Sequence, residues 1–209
     1  MDGATLPMFP LGSVLFPYAV LPLHVFEPRY RELVEAALAS DACFGVVLIE
    51  RGSEVGGGDT RFSVGTVARI VQARPSPDGR WWLATVGTQR IRVEEWLPDD
   101  PYPRARVVIL DDAAGDVGPD GVDGVLAEVR TRLRRVHALR SELGLPALDG
   151  DPPIAADPVR ASFEAAALAP LGPLDAQGLL EFDDAVSRLA HLRDALDAEI
   201  EVCTFRLSG

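Results

Sequence analysis

The chain has 209 residues, of which 47% are hydrophobic and 25% are charged, and its formal net charge is −12. This is the composition of a folded globular protein, and its acidity disfavours binding to phosphate backbones or anionic membrane surfaces. All 20 basic residues are arginines, so the chain lacks the lysine that a phosphate-binding loop, a serine–lysine hydrolase or Schiff-base chemistry requires.

The segment Leu6–Arg31 carries five prolines within a dense apolar run. Proline removes a backbone donor and biases the residue before it to extended geometry, so the segment is predicted to form short extended pieces with bends between them. These pieces are Leu6–Phe9, Val14–Phe16 and Val20–Leu23. Pro28 then favours the start of a helix that runs to about Ala39. The expected buried stripe of this helix is Tyr30, Leu33, Val34, Ala37 and Leu38.

Residues 43–110 predict several short strands at regular spacing. Cys43–Glu50 is a nearly continuous apolar run, typical of a strand buried on both faces. Turn residues at 75–79 predict a hairpin, with Gly87 separating its second strand from the next one. The expected strands after Cys43–Glu50 are Phe62–Arg74, Arg80–Val86, Arg90–Trp96 and Arg104–Leu110. This arrangement favours a closed or nearly closed barrel.

The acidic, glycine-rich stretch 113–121 is predicted to be a linker between a barrel domain, 1–112, and a helical domain, 122–209. Beyond it the hydrophobic period becomes that of amphipathic helices. The predicted helices are Val122–Leu143, Val159–Leu168, Asp175–Glu181 and Asp183 to about Arg206. Asp175 and Asp183 are the expected N-caps.

Several motifs in chain order resemble the Lon N-terminal, or substrate-binding, domain family. Leu6–Leu11 resembles the opening LPLFPL of that family, and Val14–Tyr30 resembles its VLFPG and LPLHIFEPRY segments. The other matches are Phe44–Val47, Val64–Ala68, Gly87–Ile91 and Gln177–Leu189. Two positions depart from the pattern, because Tyr18 replaces a common glycine and Ile91 a common phenylalanine.

The resemblance implies an α+β fold in which a PUA-like β-barrel is followed by an all-α helical bundle. It implies a short stand-alone member without ATPase or protease modules. The expected role is non-catalytic recognition of polypeptide segments or a protein partner, in protein quality control, with binding near a cleft between barrel and bundle. The alternative is a PUA-like module for a small ligand or RNA.

No cofactor, nucleotide, metal or membrane partner is expected, and the acidity argues against nucleic acid. The histidines, His24, His137 and His191, lack a second ligand at metal-binding spacing, and His24 is expected to be a hydrogen-bonded structural residue. The glycine-rich stretch Gly56–Thr60 is predicted to be a connector. Only two cysteines are present, which together with the lack of a signal sequence predicts a cytoplasmic protein.

The candidate binding residues fall into two groups. One is the corner that starts the first helix, with Phe26, Glu27, Arg29 and Tyr30. The other follows from the Trp81–Trp82 pair, whose rings must point to opposite faces of a strand; an exposed Trp82 beside Arg90 or Arg92 would be a recognition anchor. Structural packing is the competing interpretation for both groups. Gly45, Gly65 and Gly87 are predicted to serve backbone geometry.

Overall fold

The computed structural model describes residues 3–52, 58, 60–115 and 121–208 of the chain. The chain divides into two compact units, Met1–Asp111 and Asp112–Gly209. Within the described ranges the first unit holds six strands and one helix, and the second holds four helices. The expected α+β class, with strands first and helices after them, is confirmed. No helix in those ranges is long and apolar enough to cross a membrane.

The strands of the first unit form one sheet that closes on itself. Its order is β2-β5-β4-β3-β1-β6, and β5 also pairs with β6, so five of the strands complete a ring. The long strand β5 has room for both β2 and β6, because its first part pairs with β2 and its last part with β6. The strands are β1 Ala4–Leu11, β2 Val20–Val25, β3 Cys43–Arg51, β4 Thr60–Pro75, β5 Trp81–Leu97 and β6 Arg104–Ile109.

Two strand predictions at the start of the chain need correction. Strand β1 contains Pro7 and Pro10 and is not interrupted by them. It pairs with β6 up to Pro7 and with β3 from Met8 onward, so each part of the strand has a partner on one side only. Each proline therefore lies where one side of the strand needs no ladder hydrogen bond. The predicted extended piece Val14–Phe16 is not a strand; it leads to a turn, and the Leu15 carbonyl accepts a hydrogen bond from the Thr66 hydroxyl at 2.6 Å.

Gly87 does not separate two strands, as the sequence suggested, but lies inside the continuous strand β5. The ladder between β4 and β5 shifts register between Thr66 and Ala68, next to this glycine. A side chain at position 87 would fall on the Phe16 carbonyl oxygen. The glycine thus permits a close backbone approach without ending the strand.

Helix α1, Pro28–Leu38, begins as predicted. Glu27 is extended, with φ −67° and ψ 136°, and Pro28 occupies the first turn. Tyr30, Leu33, Val34 and Ala37 are buried against β1 and β3, whereas Leu38 is 38% exposed and does not belong to the stripe. Each large apolar side chain buried here contributes about 1.5–3 kcal/mol.

The second unit contains α2 Gly121–Glu142, α3 Pro158–Leu168, α4 Pro173–Glu181 and α5 Ala185–Ser208. All four predicted helices are present, with two differences at their N-termini. The residue before α4 is Gly172, not Asp175. The cap of α5 is Asp184, not Asp183, since its carboxylate accepts a hydrogen bond from the Ser187 backbone N–H at 2.8 Å. Of the predicted linker, residues 116–120 lie outside the described residues, and Ala113 forms a bridge with Asp184.

Arg188 is a fully buried cation that joins several segments of this unit. It donates hydrogen bonds to the Asp112 carboxylate (3.1 Å), the Ser162 hydroxyl (2.7 Å) and the carbonyls of Leu179 and Phe182. Its guanidinium lies 3.7 Å from the centroid of the Phe163 ring. One side chain on α5 thereby fixes α3, α4 and the segment before α2.

Candidate functional site

Three exposed side chains form a row across the outer surface of β2, β5 and β4. The register pairs His24 with Trp82 and Trp82 with Arg74, so all three project from the same face of the sheet. The Trp82 ring stacks on the His24 imidazole, with centroids 4.0 Å apart and planes 17° apart. The Phe26 ring lies 6.0 Å from that of His24. Trp82 is 57% exposed and Phe26 is 51% exposed.

Strand β2 extends this row with further apolar side chains. Its alternating burial turns Val20, Pro22 and His24 outward, while Leu21, Leu23 and Val25 pack inward. Ala84 is the register partner of Pro22 and faces the same side. We call this set the outer aromatic face; it comprises Val20, Pro22, His24, Phe26, Trp82 and Ala84.

Two open cavities border the outer aromatic face. One, of about 430 Å³, lies beside Trp82 and is lined by Gln72, Arg74 and Leu83 as well. The other, of about 210 Å³, lies beside Phe26 and is lined by residues of β1, β2 and α1 that include Phe9, Leu23 and Tyr30. Both offer space for a side chain of a bound molecule next to an exposed aromatic ring.

The two adjacent tryptophans point in opposite directions, as the sequence predicted. Trp81 is half-buried and packs against the core cluster that contains Leu33 and Phe44, whereas Trp82 is exposed. Neither predicted arginine lies beside Trp82, however. Its cross-strand neighbours are His24 on β2 and Arg74 on β4.

Arg90 is not a surface residue beside Trp82, which corrects the sequence expectation. Arg90 and Ile91 are both completely buried, although they point to opposite faces of β5. The Arg90 guanidinium donates to the Asp111 carbonyl at 3.1 Å, and its own carbonyl accepts from the Leu110 N–H. Arg92 is exposed, but it lies ten residues from Trp82 on the same strand, roughly 30 Å along extended backbone.

The corner at the start of α1 is divided between core and surface. Tyr30 is 2% exposed and stacks on Phe9 with centroids 4.2 Å apart, so it is a core residue. Arg29 covers the Tyr30 ring at 4.4 Å and donates to the Glu27 carboxylate at 3.3 Å. Phe26 and the Glu27–Arg29 pair therefore form the part of this corner that reaches solvent.

The described residues contain no group of three or more His, Cys, Asp or Glu side chains arranged to hold a metal ion. Of the glycine-rich stretch Gly56–Thr60, the residues Gly56, Gly57 and Asp59 lie outside the described residues. His137 is a structural tie, since its ring nitrogens contact the Leu148 N–H and the Leu168 carbonyl. His24 is not the hydrogen-bonded structural residue that the sequence suggested, because it is exposed and stacks on Trp82.

Both cysteine thiols are poor nucleophiles. Burial raises the pKa of Cys43, whose thiol contacts the Asp41 carbonyl at 3.4 Å. Burial also raises the pKa of Cys203, and the nearby Glu199 carboxylate adds to this effect. A thiol with a raised pKa stays protonated at neutral pH, and only the thiolate attacks.

A model of the ATP-dependent protease La (LON) substrate-binding domain matches residues 5–198 of this chain. The chain belongs to the Lon substrate-binding domain family. The Lon protease of Cytophaga hutchinsonii is 32% identical over 202 residues, which are 95% of this chain and 25% of that protease. The Lon protease of Desulfovibrio desulfuricans is 32% identical over 207 residues, which are 96% and 23% of the two chains. The chain thus spans about a quarter of the length of these curated relatives.

Two solved structures share the fold of this chain. The Lon N-terminal domain protein from Xanthomonas campestris is 30% identical, with a TM-score of 0.63 over 90% of this chain and 96% of that one. The N-terminal domain of the Mycobacterium avium complex Lon protease shares the fold, with a TM-score of 0.59 and 17% identity over 93% and 98% of the chains.

The Lon-type motifs in the sequence have structural roles. A side chain at Gly45 would collide with Met8, and one at Gly65 would fall on the Val46 carbonyl oxygen. The predicted backbone-geometry role is therefore confirmed for Gly65, as it is for Gly87, whereas Gly45 makes room for the Met8 side chain. The late motif Gln177–Leu189 contains Arg188 and the carbonyls of Leu179 and Phe182 that this arginine binds.

Four residues around the exposed rings were not predicted from the sequence to form a surface. These are Val20, Pro22, His24 and Arg74. The alternation along β2 was a usable signal for the first three, since residues two apart share a face. No sequence signal placed Arg74 beside Trp82, because their juxtaposition depends on the register of the β4–β5 hairpin.

Proposed function

We propose that this Lon-type domain binds polypeptide segments, or a protein partner that displays such a segment, through the outer aromatic face, without catalysing a reaction. The observation that carries the proposal is the exposure of Trp82 and Phe26 around His24, at and just after strands of the sheet. Aromatic rings fixed in this way gain contact area on binding and lose little conformational entropy. The description of the family as a substrate-binding domain supports the same class of role.

Side-chain burial is the expected source of the binding free energy. Apolar side chains of an extended segment would cover Trp82 and Phe26 and enter the adjoining cavities, while Arg74 would pair with a carboxylate or carbonyl at the margin. Strand addition along β2 is disfavoured, because Pro22 has no N–H to offer. Nothing in this mode of binding uses a nucleotide, a cofactor or a metal ion.

Unfolded chains expose the apolar segments that such a face would bind, so we assign the domain to protein quality control. We place this role in the cytoplasm, where free thiols persist. Cys43 and Cys203 are both unpaired, which fits a reducing compartment.

The test measures binding of a fluorescently labelled, permanently unfolded protein by anisotropy. Trp82→Ala and Phe26→Ser are expected to weaken binding by about tenfold or more each, the effect of removing a central aromatic anchor. Leu38→Ser is the matched control, since Leu38 is an exposed apolar residue of the same unit outside the outer aromatic face. The control should leave the affinity unchanged.

Equal affinity of Trp82→Ala and Leu38→Ser for the unfolded protein would refute the assignment of this face. Tight, salt-sensitive binding of structured RNA that is lost in Arg74→Ala would support the ligand or RNA alternative instead. The charge of the first part of the chain argues against that result, because residues 1–112 carry 15 carboxylates and 11 arginines.

A further inference from the structure

Helix α5 has a second apolar stripe that the folded unit leaves uncovered. Its inward face, which includes Leu189, Leu196 and Ile200, is buried in the helical unit. On another face, five residues recur at spacings of four and three and so lie along one line of the helix surface. They are His191, Ala195, Ala198, Val202 and Phe205. Val202 is 46% exposed and Phe205 is 79% exposed.

This stripe leads into an open groove against α4. The groove has a volume of about 490 Å³ and is lined by residues of both helices, including Leu174, Phe182, His191 and Ala195. Leu174 is 67% exposed, and the Phe182 ring packs on the His191 imidazole with centroids 4.1 Å apart. At Gly178 an added methyl group would meet nothing within 4 Å, so the α4 wall is open there. Groove and stripe form one continuous apolar track; we call it the α5 track.

Carboxylates border the α5 track along its length. Asp175 and Glu181 line the groove, and Asp194 and Glu201 lie on one flank of the stripe by helical spacing. On the other flank, Glu199 already pairs with Arg140 at 2.9 Å, and Arg206 is the nearby cation. Arg193 pairs with Asp194 at 3.0 Å and with Glu128 at 3.8 Å. The border is therefore mainly acidic, in a segment, 113–209, that carries 17 carboxylates and 9 arginines.

A second copy of this chain is a poor occupant of the track. Two copies of α5 related by a two-fold axis would pack antiparallel, and each flank would face its own counterpart. With Ala198 at the centre, Asp194 of one copy would approach Glu201 of the other. Like charges at such positions oppose association.

We propose that the α5 track binds a cationic amphipathic helix of a partner protein. The stripe from His191 to Phe205 spans 15 residues, with about 21 Å between its ends, which matches a partner helix of about four turns. Apolar residues of the partner at positions i, i+3, i+4 and i+7 would cover Val202, Phe205 and Leu174. Its flanking lysines or arginines would face Asp175, Glu181, Asp194 and Glu201. This interaction uses a different unit and a different ligand from the proposed function, so either can hold without the other.

The test uses the full chain and two synthetic helical peptides of about four turns with the same leucine stripe. One peptide carries lysines on both flanks and the other carries glutamates. In fluorescence anisotropy at low salt, the lysine peptide is expected to bind at least tenfold more tightly than the glutamate peptide, and salt should narrow this difference.

Variants of the chain locate the binding. Asp194→Lys combined with Glu201→Lys should weaken binding of the lysine peptide by about tenfold or more, and Phe205→Ser should do the same. The charge control is Asp123→Lys combined with Asp149→Lys, which changes the net charge equally at exposed positions away from the track. Leu148→Ser is the apolar control, at a side chain that is 43% exposed.

Four outcomes would overturn the proposal. The first is equal binding of both peptides, and the second is an equal effect of the two charge-reversal pairs. The third is concentration-dependent dimerisation in sedimentation that Phe205→Ser abolishes, which would assign the track to a second copy. Loss of lysine-peptide binding in Trp82→Ala, with Phe205→Ser unaffected, would place this ligand on the outer aromatic face and also count against the track.

Discussion

Replacing Arg188 by methionine tests whether the helical unit depends on this one buried cation. Methionine has a comparable unbranched shape but no charge and no donor, so the substitution fills much of the space while removing every polar contact. The Asp112 carboxylate, which is 17% exposed, would then lose its charged partner. The carbonyls of Leu179 and Phe182 and the Ser162 hydroxyl would each lose a donor.

The expected loss of stability is about 3–5 kcal/mol, the usual cost of breaking a buried ion pair from one side. The contacts support the upper part of that range, because two backbone carbonyls and the Phe163 ring also lose their partner. The free energy of unfolding of a domain of this size is about 5–15 kcal/mol. The helical unit of Arg188→Met should therefore lie close to its unfolding threshold.

Urea unfolding followed by two signals separates the units. The chain's three tryptophans, Trp81, Trp82 and Trp96, all lie in Met1–Asp111, so their fluorescence reports on the barrel. Far-ultraviolet circular dichroism reports mainly on Asp112–Gly209, which contains four of the five described helices. The substitution should move the dichroism midpoint to lower urea.

Arg193→Met is the matched control on the same helix. Its guanidinium is one-third exposed and pairs with Asp194 and Glu128 at the surface. The substitution should therefore lower the free energy of unfolding by less than about 1 kcal/mol. If Arg188→Met lowered the free energy of unfolding by no more than Arg193→Met does, the buried network would not hold the unit together and the reasoning would be wrong.

Two further predictions concern a helix cap and a close backbone approach. The Ser187 N–H bond holds the pKa of Asp184 below its ordinary value of 3.8, so its stabilisation should be present above about pH 4 and lost as the pH falls through the lowered value. Asp184→Ala should lower the free energy of unfolding, measured with urea, by about 1 kcal/mol at neutral pH and by less in acid. A loss of stability that does not depend on pH would contradict this reasoning. Asp184→Asn should retain most of the stabilisation by the cap. Gly65→Ala should destabilise the barrel by about 2 kcal/mol or more, because its methyl group meets the Val46 carbonyl. Gly178→Ala, in an open helix position, should instead raise the melting temperature slightly; similar effects of the two glycine substitutions would exclude a steric cause.

Local sequence patterns predicted most of the secondary structure because each acts within a few residues. Pro28 fixed the start of α1, and the continuous apolar run at Cys43–Glu50 marked a strand buried on both faces. The errors arose where a second strand decides the outcome. Gly87 resembled a strand end, yet pairing with β4 carries β5 through it.

The candidate site was only partly predictable, for a related reason. Alternation required Trp81 and Trp82 to point in opposite directions, and it could also have identified Val20, Pro22 and His24 as a common face. The expectation that Arg90 lies beside an exposed Trp82 was wrong, because Arg90 is buried. The pairing of β5 with β6 places the segment after β6 next to Arg90, and the Asp111 carbonyl accepts a hydrogen bond from its guanidinium.

The amino-acid sequence by itself determined the family, the α+β class, the order of strands and helices, and the absence of lysine chemistry. These properties depend on residue type and on the spacing of nearby residues, and neither of these depends on the tertiary structure. Tertiary structure alone decided that His24 stacks on Trp82, that Arg90 is buried and that Arg188 reaches Asp112, 76 residues away. Each of these contacts joins residues far apart in sequence, so it exists only once strand register and helix packing have brought them together.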